Sequence, residues 1–274
     1  MDENAEKSSL FVPPGHFYSP LVEPRSLKKI RYRSVLASEF TFDSDSQWTE
    51  LETCLQRLSN SPKELSDSTA TYFKFNDQFS LSDARIYMGI LAKHTPSRIV
   101  EVGSGWSTAV AVDYKISNGL DLSITVFEPF PERLLSIGMP EDSFTIRESN
   151  VIDLTDFSDF EGLKRGDILF VDSSHVVKTG SELLTIMFEI IPRLNSGVLI
   201  HFHDIFDCFD YPVSWIMDEK RSWNESYFLR ALLQGNTDLK VLLMGDHLRN
   251  LDSVRFSNAV NSEVASGSLW IQKC

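Results

Sequence analysis

The feature that most constrains this fold is a series of five short β-rich segments separated by helical stretches. The strand-like segments are residues 98–102, 123–127, 143–146, 167–171 and 197–201. The helical stretches are residues 82–94, 107–116, 131–137 and 179–191. Short apolar strands that alternate with helices predict an α/β domain with a parallel sheet and helices on both of its faces.

Two further strand-like segments follow near the C-terminus, at residues 240–244 and 267–273. The residues between them are polar and show no helical periodicity. A parallel crossover normally requires a helix, so two strands joined by a loop are more simply antiparallel. We therefore expect the sheet to close with an antiparallel hairpin.

The first 70 residues differ from the rest of the chain. Prolines come early (Pro13, Pro14 and Pro20), a basic patch follows at residues 25–33, and residues 48–58 are helical in pattern. This composition predicts an irregular arm with one or two helices at residues 1–70, attached to a main domain at residues 71–274. The basic patch is more simply a solvated face, or a partner of the acidic body, than an anion site, although an arm of this kind could also pack against a second subunit.

The charge balance excludes some classes of partner. The chain has 26 Lys and Arg against 39 Asp and Glu, a formal net charge of −13. Such a chain repels phosphate backbones and anionic lipid, so we expect no nucleic acid and no membrane as a main partner. The three cysteines (Cys54, Cys208 and Cys274) lack a CxxC spacing, and their pattern indicates neither a disulfide framework nor a zinc site. No apolar run is long enough for a membrane helix, and the expected location is cytoplasmic.

The first strand ends in a glycine turn, Val102-Gly103-Ser104-Gly105, which leads into a helix. Gly103 and Gly105 allow the backbone to approach a ligand closely. A dinucleotide fingerprint would have a third glycine at position 108, which is Thr, and Glu101 would repel a pyrophosphate. A ligand that carries an ammonium group could instead pair with Glu101. The plainer alternative is a tight turn without a ligand.

Acidic residues and histidines follow three other strands. Glu128 ends the second strand, where a carboxylate suits hydrogen bonding to ribose hydroxyls, unless it is simply a solvated acid. Asp172 ends the fourth strand, and His175 follows three residues later, where it could take a proton near neutral pH.

The fifth strand ends in His201-Phe202-His203-Asp204. Alternation places His201 and His203 on one side of the sheet. Asp172, His203 and Asp204 could form an oxygen and nitrogen site for a divalent cation. They could equally form a hydrogen-bonded cluster that orients a substrate or His175.

Aromatic residues are frequent in the segment after the fifth strand. Residues 209–215 and 223–227 interrupt the strand pattern, and they include Tyr211, Trp215, Trp223 and Tyr227. Aromatic side chains with polar tips can form a lid over a pocket, and helix packing onto the sheet explains them equally well.

Taken together, these motifs resemble the class I S-adenosylmethionine-dependent methyltransferases, in particular a bacterial small-molecule group. The blocks that carry the resemblance are Glu101 to Ser107, Glu128-Pro129, residues 170–180 and residues 201–206; residues 15–20 of the arm also resemble the group's N-terminal signature. The family implies a Rossmann-like, seven-stranded, mostly parallel sheet with an antiparallel C-terminal hairpin.

The resemblance also implies roles for individual residues. Glu101, Gly103 and Gly105 correspond to the part of the family motif that binds the methionine portion of the cofactor, and Ser107 belongs to the same cofactor motif but stands where many relatives have a third glycine. Glu128 corresponds to the ribose position, and Asn150 and Val151 to the adenine position. Asp172 would lie under the sulfonium. Related metal-using enzymes hold magnesium with an acid at the position of Asp172 and usually two acids at positions 203 and 204, whereas position 203 is His here.

These observations predict methyl transfer from S-adenosylmethionine to a small molecule, most simply to a hydroxyl. In this hypothesis His175 is the general base, and Asp172 and Asp204 orient the acceptor, directly or through magnesium or another divalent cation. A nicotinamide-dependent oxidoreductase and a non-catalytic nucleoside-binding protein remain as alternatives.

Overall fold

A seven-stranded sheet forms the centre of the protein. The structure is a computed structural model that describes residues 11–23, 42–60, 70–72, 76 and 78–274. The strand order is β3-β2-β1-β4-β5-β7-β6. The strands are β1 Arg98–Val102, β2 Ser123–Phe127, β3 Thr145–Arg147, β4 Ile168–Val171, β5 Leu199–Phe202, β6 Leu239–Met244 and β7 Leu269–Lys273.

Helices flank the sheet throughout the described part of the chain. They are α1 Ser44–Ser59, α2 Leu81–His94, α3 Trp106–Asn118, α4 Glu132–Ser136, α5 Ser158–Glu161, α6 Glu182–Thr185, α7 Ile191–Arg193, α8 Val213–Met217, α9 Glu225–Leu233, α10 Gly245–Leu251 and α11 Ser253–Val260. One π-helical turn, Ile186–Ile190, connects α6 to α7. Among the described residues, short 3-10 helices lie at Glu141–Ser143, Val151–Asp153 and Asp207–Phe209.

The core lies on both faces of the sheet because strand side chains alternate between the two faces. In β1, Ile99 belongs to a cluster with α1, α2, α3 and α11, while Val100 belongs to a second cluster with α5, α6 and α9. Burial on both faces explains why the parallel strands are almost continuously apolar. The predicted architecture is therefore confirmed.

The register of the parallel strands brings their carboxyl ends to one edge. Val102 of β1 pairs with Phe127 of β2 and with Val171 of β4, and Val171 in turn pairs with Phe202 of β5. The residues that follow these four positions, Gly103, Glu128, Asp172 and His203, consequently share this edge of the sheet.

The C-terminal strands are antiparallel, as predicted, but their connection is not a loop. β7 pairs antiparallel with both β5 and β6, so it lies between them. Helices α10 and α11 connect β6 to β7, and the expectation of a plain loop was wrong. The side chain of Asp252 accepts a hydrogen bond from the Arg255 amide and begins α11, which buries Phe256 and Val260 against the core. Tertiary packing thus supports a helix that has many residues of low helix propensity.

The described part of the N-terminal region consists of a loop and a helix. Residues 11–23 form a compact loop closed by the Gly15 amide, which donates to the Leu21 carbonyl at 2.9 Å. The Val22 amide donates to Ser222 Oγ at 3.2 Å. Helix α1 extends the predicted helix at 48–58 in both directions. The basic patch lies outside the described residues, and the division at residue 70 remains a prediction. Among the described residues, we find no helix with the length and apolarity needed to span a membrane.

Candidate active site

The glycine turn after β1 requires glycine at position 103. Gly103 has φ +82°, and a Cβ atom there would lie 1.9 Å from the backbone carbonyl oxygen of Asp172. Its amide donates to the Phe127 carbonyl at 3.0 Å. Any side chain would therefore push apart the ends of β1 and β4, where the ligand-facing residues begin.

Glu101 lies behind this turn and not in the wall of the crevice. Its side chain is fully buried and accepts hydrogen bonds from Ser107 Oγ at 2.5 Å and from Thr108 Oγ1 at 2.8 Å. Burial raises the pKa of Glu101 to about 8, although the two hydroxyl groups lower it. In this structure Glu101 and Ser107 fasten helix α3 to the end of β1.

A crevice of about 840 Å³ opens at the carboxyl edge of the sheet, a volume typical of ligand sites. It is lined by residues from all the strand ends that the sequence singled out. They include Gly103, Ser104, Ser107, Glu128, Asn150, Val151, Asp172, His175, His203 and Asp204.

Glu128 stands half-buried in the wall of the crevice. Its Oε2 accepts a hydrogen bond from Ser104 Oγ, and its Oε1 accepts one from the Phe130 amide, both at 2.9 Å. Each carboxylate oxygen keeps further lone pairs for a ligand. The side chain of Asn150 accepts from the Ile152 amide and holds the turn after β3, beside the same crevice.

His175 is the centre of a cluster of carboxylates. Its Nδ1 lies 2.8 Å from Glu225 Oε2, and its Nε2 lies 3.5 Å from Asp172 Oδ1 and 3.7 Å from Asp204 Oδ2. His175 and Asp204 both have φ near +58°, a conformation that costs non-glycine residues energy and often marks functional positions. Glu225 therefore holds Nδ1 of the imidazole, while Nε2 is directed toward the carboxylates of Asp172 and Asp204.

The electrostatics of this cluster favour a charged imidazole. Burial lowers the pKa of His175, but Asp172 and Glu225 raise it more strongly, to about 10. Burial likewise raises the pKa of Asp172, while His203 and His175 lower it to about 2. These carboxylates thus favour the protonated form of His175 at neutral pH.

His201 and His203 lie on the same side of the sheet, as the alternation predicts, but they differ in environment. His203 is buried, with Nε2 3.6 Å from Asp204 Oδ1 and its ring 4.8 Å from that of Phe79. His201 packs between Phe170 and Trp270, at ring distances of 4.0 and 4.5 Å. Burial holds the pKa of His201 well below its usual value, so it is neutral. His203 faces the crevice, whereas His201 belongs to the core.

The aromatic segment after β5 covers His175. The Trp223 ring lies 4.2 Å from the His175 ring, and the guanidinium of Arg221 lies over both Trp215 and Trp223, at 4.0 and 4.4 Å from their centroids. The amides of Asn224 and Glu225 both donate to the His175 carbonyl. Trp215, Arg221 and Trp223 also line the crevice, so this segment forms its roof.

Sequence reasoning did not assign a role to Glu225, although its side chain is only 1% exposed and contacts His175 directly. It begins α9, fifty residues after His175, and no strand end or motif spacing marks it. Further crevice residues without a sequence signal are Gln78, Phe79 and Arg133. Only the tertiary fold brings them to this edge.

The predicted metal set of Asp172, His203 and Asp204 does not converge on one point in this structure. Among the described residues, a different set of potential metal ligands lies close together. The ligand atoms of Glu50, Cys54 and His94 are all within 4.8 Å of one another. His175 Nε2 lies between Asp172 and Asp204 instead. Magnesium binding at these residues remains a prediction.

Comparison with known proteins agrees with this architecture. Residues 100–205 match a family described as a methyltransferase domain, a range that begins within β1 and ends just beyond Asp204. An uncharacterized protein of Archaeoglobus fulgidus is 31% identical over 173 residues, which are 57% of this chain and 75% of that protein. This chain belongs to the class I S-adenosylmethionine-dependent methyltransferases.

Two solved structures with a similar chain path are examples of what this fold resembles. An apo structure of CmcI is 18% identical, covers 80% of this chain and 84% of that one, and has a TM-score of 0.47. The O-methyltransferase TomG of Streptomyces achromogenes, solved with S-adenosylmethionine, is 12% identical, covers 86% of this chain and 92% of that one, and has a TM-score of 0.40.

Proposed function

We propose that this protein transfers the methyl group of S-adenosylmethionine to a hydroxyl group of a small molecule, with both ligands in the crevice at the carboxyl edge of the sheet. The single observation that carries the proposal is the shared location of the Gly103 turn, the Glu128 carboxylate and the His175 cluster around one cavity. Methyl transfer requires alignment of two ligands, exclusion of water and removal of a proton.

The residues of the crevice fit the cofactor. A Cβ atom at position 103 would collide with the Asp172 carbonyl, so the bare backbone there leaves the strand end accessible to a ligand. Glu128, already held by Ser104 and the Phe130 amide, suits two ribose hydroxyl groups. Asn150 and Val151 would flank the adenine, and the negative charge of Asp172 suits the positively charged sulfur.

The bound cofactor supplies a methyl group attached to a positively charged sulfur. The chain's own contribution is a base with a defined orientation. Glu225 accepts the Nδ1 proton of His175, so the neutral imidazole would have its lone pair on Nε2, the nitrogen that faces Asp172 and Asp204. His175 Nε2 would then take the single proton of the acceptor hydroxyl, and the two aspartates would accept hydrogen bonds from further polar groups of the acceptor or orient it through a cation.

His175 must be neutral before it can act as a base, whereas the surrounding carboxylates favour its protonated form. Entry of a positive charge into the crevice lowers the pKa of His175, because like charges disfavour the imidazolium and because Asp172 gains a second cationic partner. The negative cluster is therefore suited to a cationic ligand, and binding of that ligand prepares the base.

The roof formed by Trp215, Arg221 and Trp223 supports a small acceptor rather than a macromolecule. Two indole rings line the crevice, and the neighbouring aspartates offer hydrogen-bond acceptors. An acceptor with hydroxyl groups on an apolar or ring-shaped body would fit both. No step in this scheme requires magnesium, whose binding at Asp172, His203 and Asp204 is tested by chelation.

Calorimetry on the full chain tests the proposal. We expect S-adenosylmethionine and S-adenosylhomocysteine to bind with one site each, and NADH not to bind. Tight NADH binding without nucleoside binding would favour the oxidoreductase alternative. Binding of S-adenosylmethionine without turnover across a panel of hydroxylated small molecules would favour a non-catalytic nucleoside-binding protein. Repeating the titration with added magnesium and with a chelator determines whether a cation takes part.

A further inference from the structure

A second cluster of potential ligands lies where helices α1 and α2 pack together, outside the crevice. Glu50 and Cys54 are one turn apart on α1, and His94 is the last residue of α2. Cys54 is buried, and the side chains of Glu50 and His94 are 15% and 17% exposed. A carboxylate, a thiol and an imidazole therefore meet at a site that solvent can reach.

Two of the separations in this cluster are close to those of a four-coordinate zinc site. His94 Nε2 lies 3.0 Å from Glu50 Oε1, and Cys54 Sγ lies 3.6 Å from the same oxygen. Metal–ligand distances of about 2.0 Å to nitrogen or oxygen and about 2.3 Å to sulfur place tetrahedral ligand atoms about 3.3–3.6 Å apart. The three ligand atoms all lie within 4.8 Å of one another, so small side-chain movements suffice.

The close approach of the two helices depends on a glycine. A Cβ atom at Gly89 of α2 would lie 3.1 Å from the Cβ atom of Cys54 and 3.2 Å from its carbonyl carbon, so a larger residue would push α1 away. The site also already contains a positive group, since the ammonium of Lys93 forms an ion pair with Glu50. A metal ion would take over this role and displace Lys93 toward solvent.

We propose that Glu50, Cys54 and His94 bind a divalent transition-metal ion, zinc being the best match, with water as the fourth ligand. Thiolate and imidazole ligands select zinc and similar borderline metals over magnesium or calcium. The ion would join α1 to α2 and so fix the N-terminal helix to the main domain. Cysteine spacing along the sequence indicated no zinc site, because the ligands come from two helices and form no CxxC pair.

Cobalt(II) titration of the reduced, chelator-treated full chain tests this proposal, because a thiolate ligand adds a charge-transfer band to the cobalt spectrum. We expect one equivalent of cobalt to bind with this band, and zinc to displace it. Cys54→Ser should abolish the band, whereas Cys274→Ser and Asp172→Asn should leave it unchanged. His94→Gln provides a second variant that keeps the thiol, and it should weaken binding at least tenfold.

Lys93→Gln is the most discriminating variant. If the cluster serves only as an ion-pair network, the loss of Lys93 disrupts it and should not increase the affinity for cobalt. Lys93 competes with the ion for Glu50, so removing its positive charge should tighten cobalt binding by about tenfold. A charge-transfer band that survives in Cys54→Ser, the absence of stoichiometric binding, or weaker binding in Lys93→Gln would each overturn the proposal.

Discussion

Glu128 shows how a single residue connects the fold to ligand recognition. The end of β2 places it at the sheet edge, and the Ser104 hydroxyl and the Phe130 amide fix its two oxygens before any ligand arrives. Such preorganisation reduces the entropy lost on binding.

We predict that Glu128→Gln weakens S-adenosylmethionine binding by about 10- to 100-fold, since hydrogen bonds to a charged group contribute about 1.5–3 kcal/mol. Calorimetry measures the change. Glu132→Gln is the matched control, because Glu132 is exposed on α4 and does not line the crevice. Equal affinity for the wild-type chain and Glu128→Gln would contradict the assignment of ribose binding to this residue.

His175→Gln should lower the rate of methyl transfer by about 10²- to 10⁴-fold, the usual contribution of a general base. The affinity for S-adenosylmethionine should not fall, because the variant removes a like charge from beside the sulfonium position. Release of S-adenosylhomocysteine in the presence of a hydroxylated acceptor reports the rate, and calorimetry reports the affinity. If the variant turns over at the wild-type rate, another group removes the proton.

At this scale the sequence predicted the residues that follow strands. Asp172, His175, Asp204 and Glu128 all lie around one cavity, because the carboxyl ends of parallel strands share an edge. Glu225 and the contact between Trp223 and His175 were beyond prediction, since they depend on how a loop folds back over the sheet. Glu101 lies behind the turn, because two nearby hydroxyl groups satisfy its carboxylate there.

At the scale of elements, two helices show where hydrophobic periodicity in the sequence fails to predict secondary structure. α10 and α11 have few residues on which a helical pattern can be recognised, and the core contacts of Leu248, Phe256 and Val260 stabilise them. In contrast, β1 and β2 were predicted to the residue, because glycine, proline or polar residues end each apolar run.

Gly89→Ala tests the packing of α1 on α2. Alanine favours a helix by about 1 kcal/mol relative to glycine, but the added methyl group would lie 3.1 Å from Cys54 Cβ. Overpacking of this kind costs about 1–3 kcal/mol, so we expect a net loss of stability. Hydrogen exchange should increase in α1 and remain unchanged in α9, which serves as the internal reference. If the variant were more stable and hydrogen exchange in α1 were unchanged, α1 and α2 could accommodate the added methyl group without moving apart.

For the whole molecule, Glu101 links pH to stability. Its pKa is raised from 4.5 to about 8 in the folded state, so between these values the folded chain retains a proton that the unfolded chain releases. Stability should therefore fall as pH rises through this window, by up to about 1.4 kcal/mol per pH unit.

Denaturant unfolding at a series of pH values between about 5 and 8 measures this effect. Glu101→Gln cannot ionise, so its unfolding free energy should show a slope with pH that is less negative than that of the wild-type chain. Glu132→Gln, with an exposed carboxylate, should retain the wild-type slope. Parallel pH profiles for all three chains would mean that Glu101 is ionised in the folded protein.

The position of β7 has a consequence for how the molecule is assembled. This strand is made after β6 but inserts between β6 and β5. When β6 has emerged from the ribosome and β7 has not, β6 has no strand to pair with. The edge of β5 that later pairs with β7 is unpaired as well. Until β7 emerges, both are available to pair with the wrong neighbour, and protection by a chaperone would matter most during that interval.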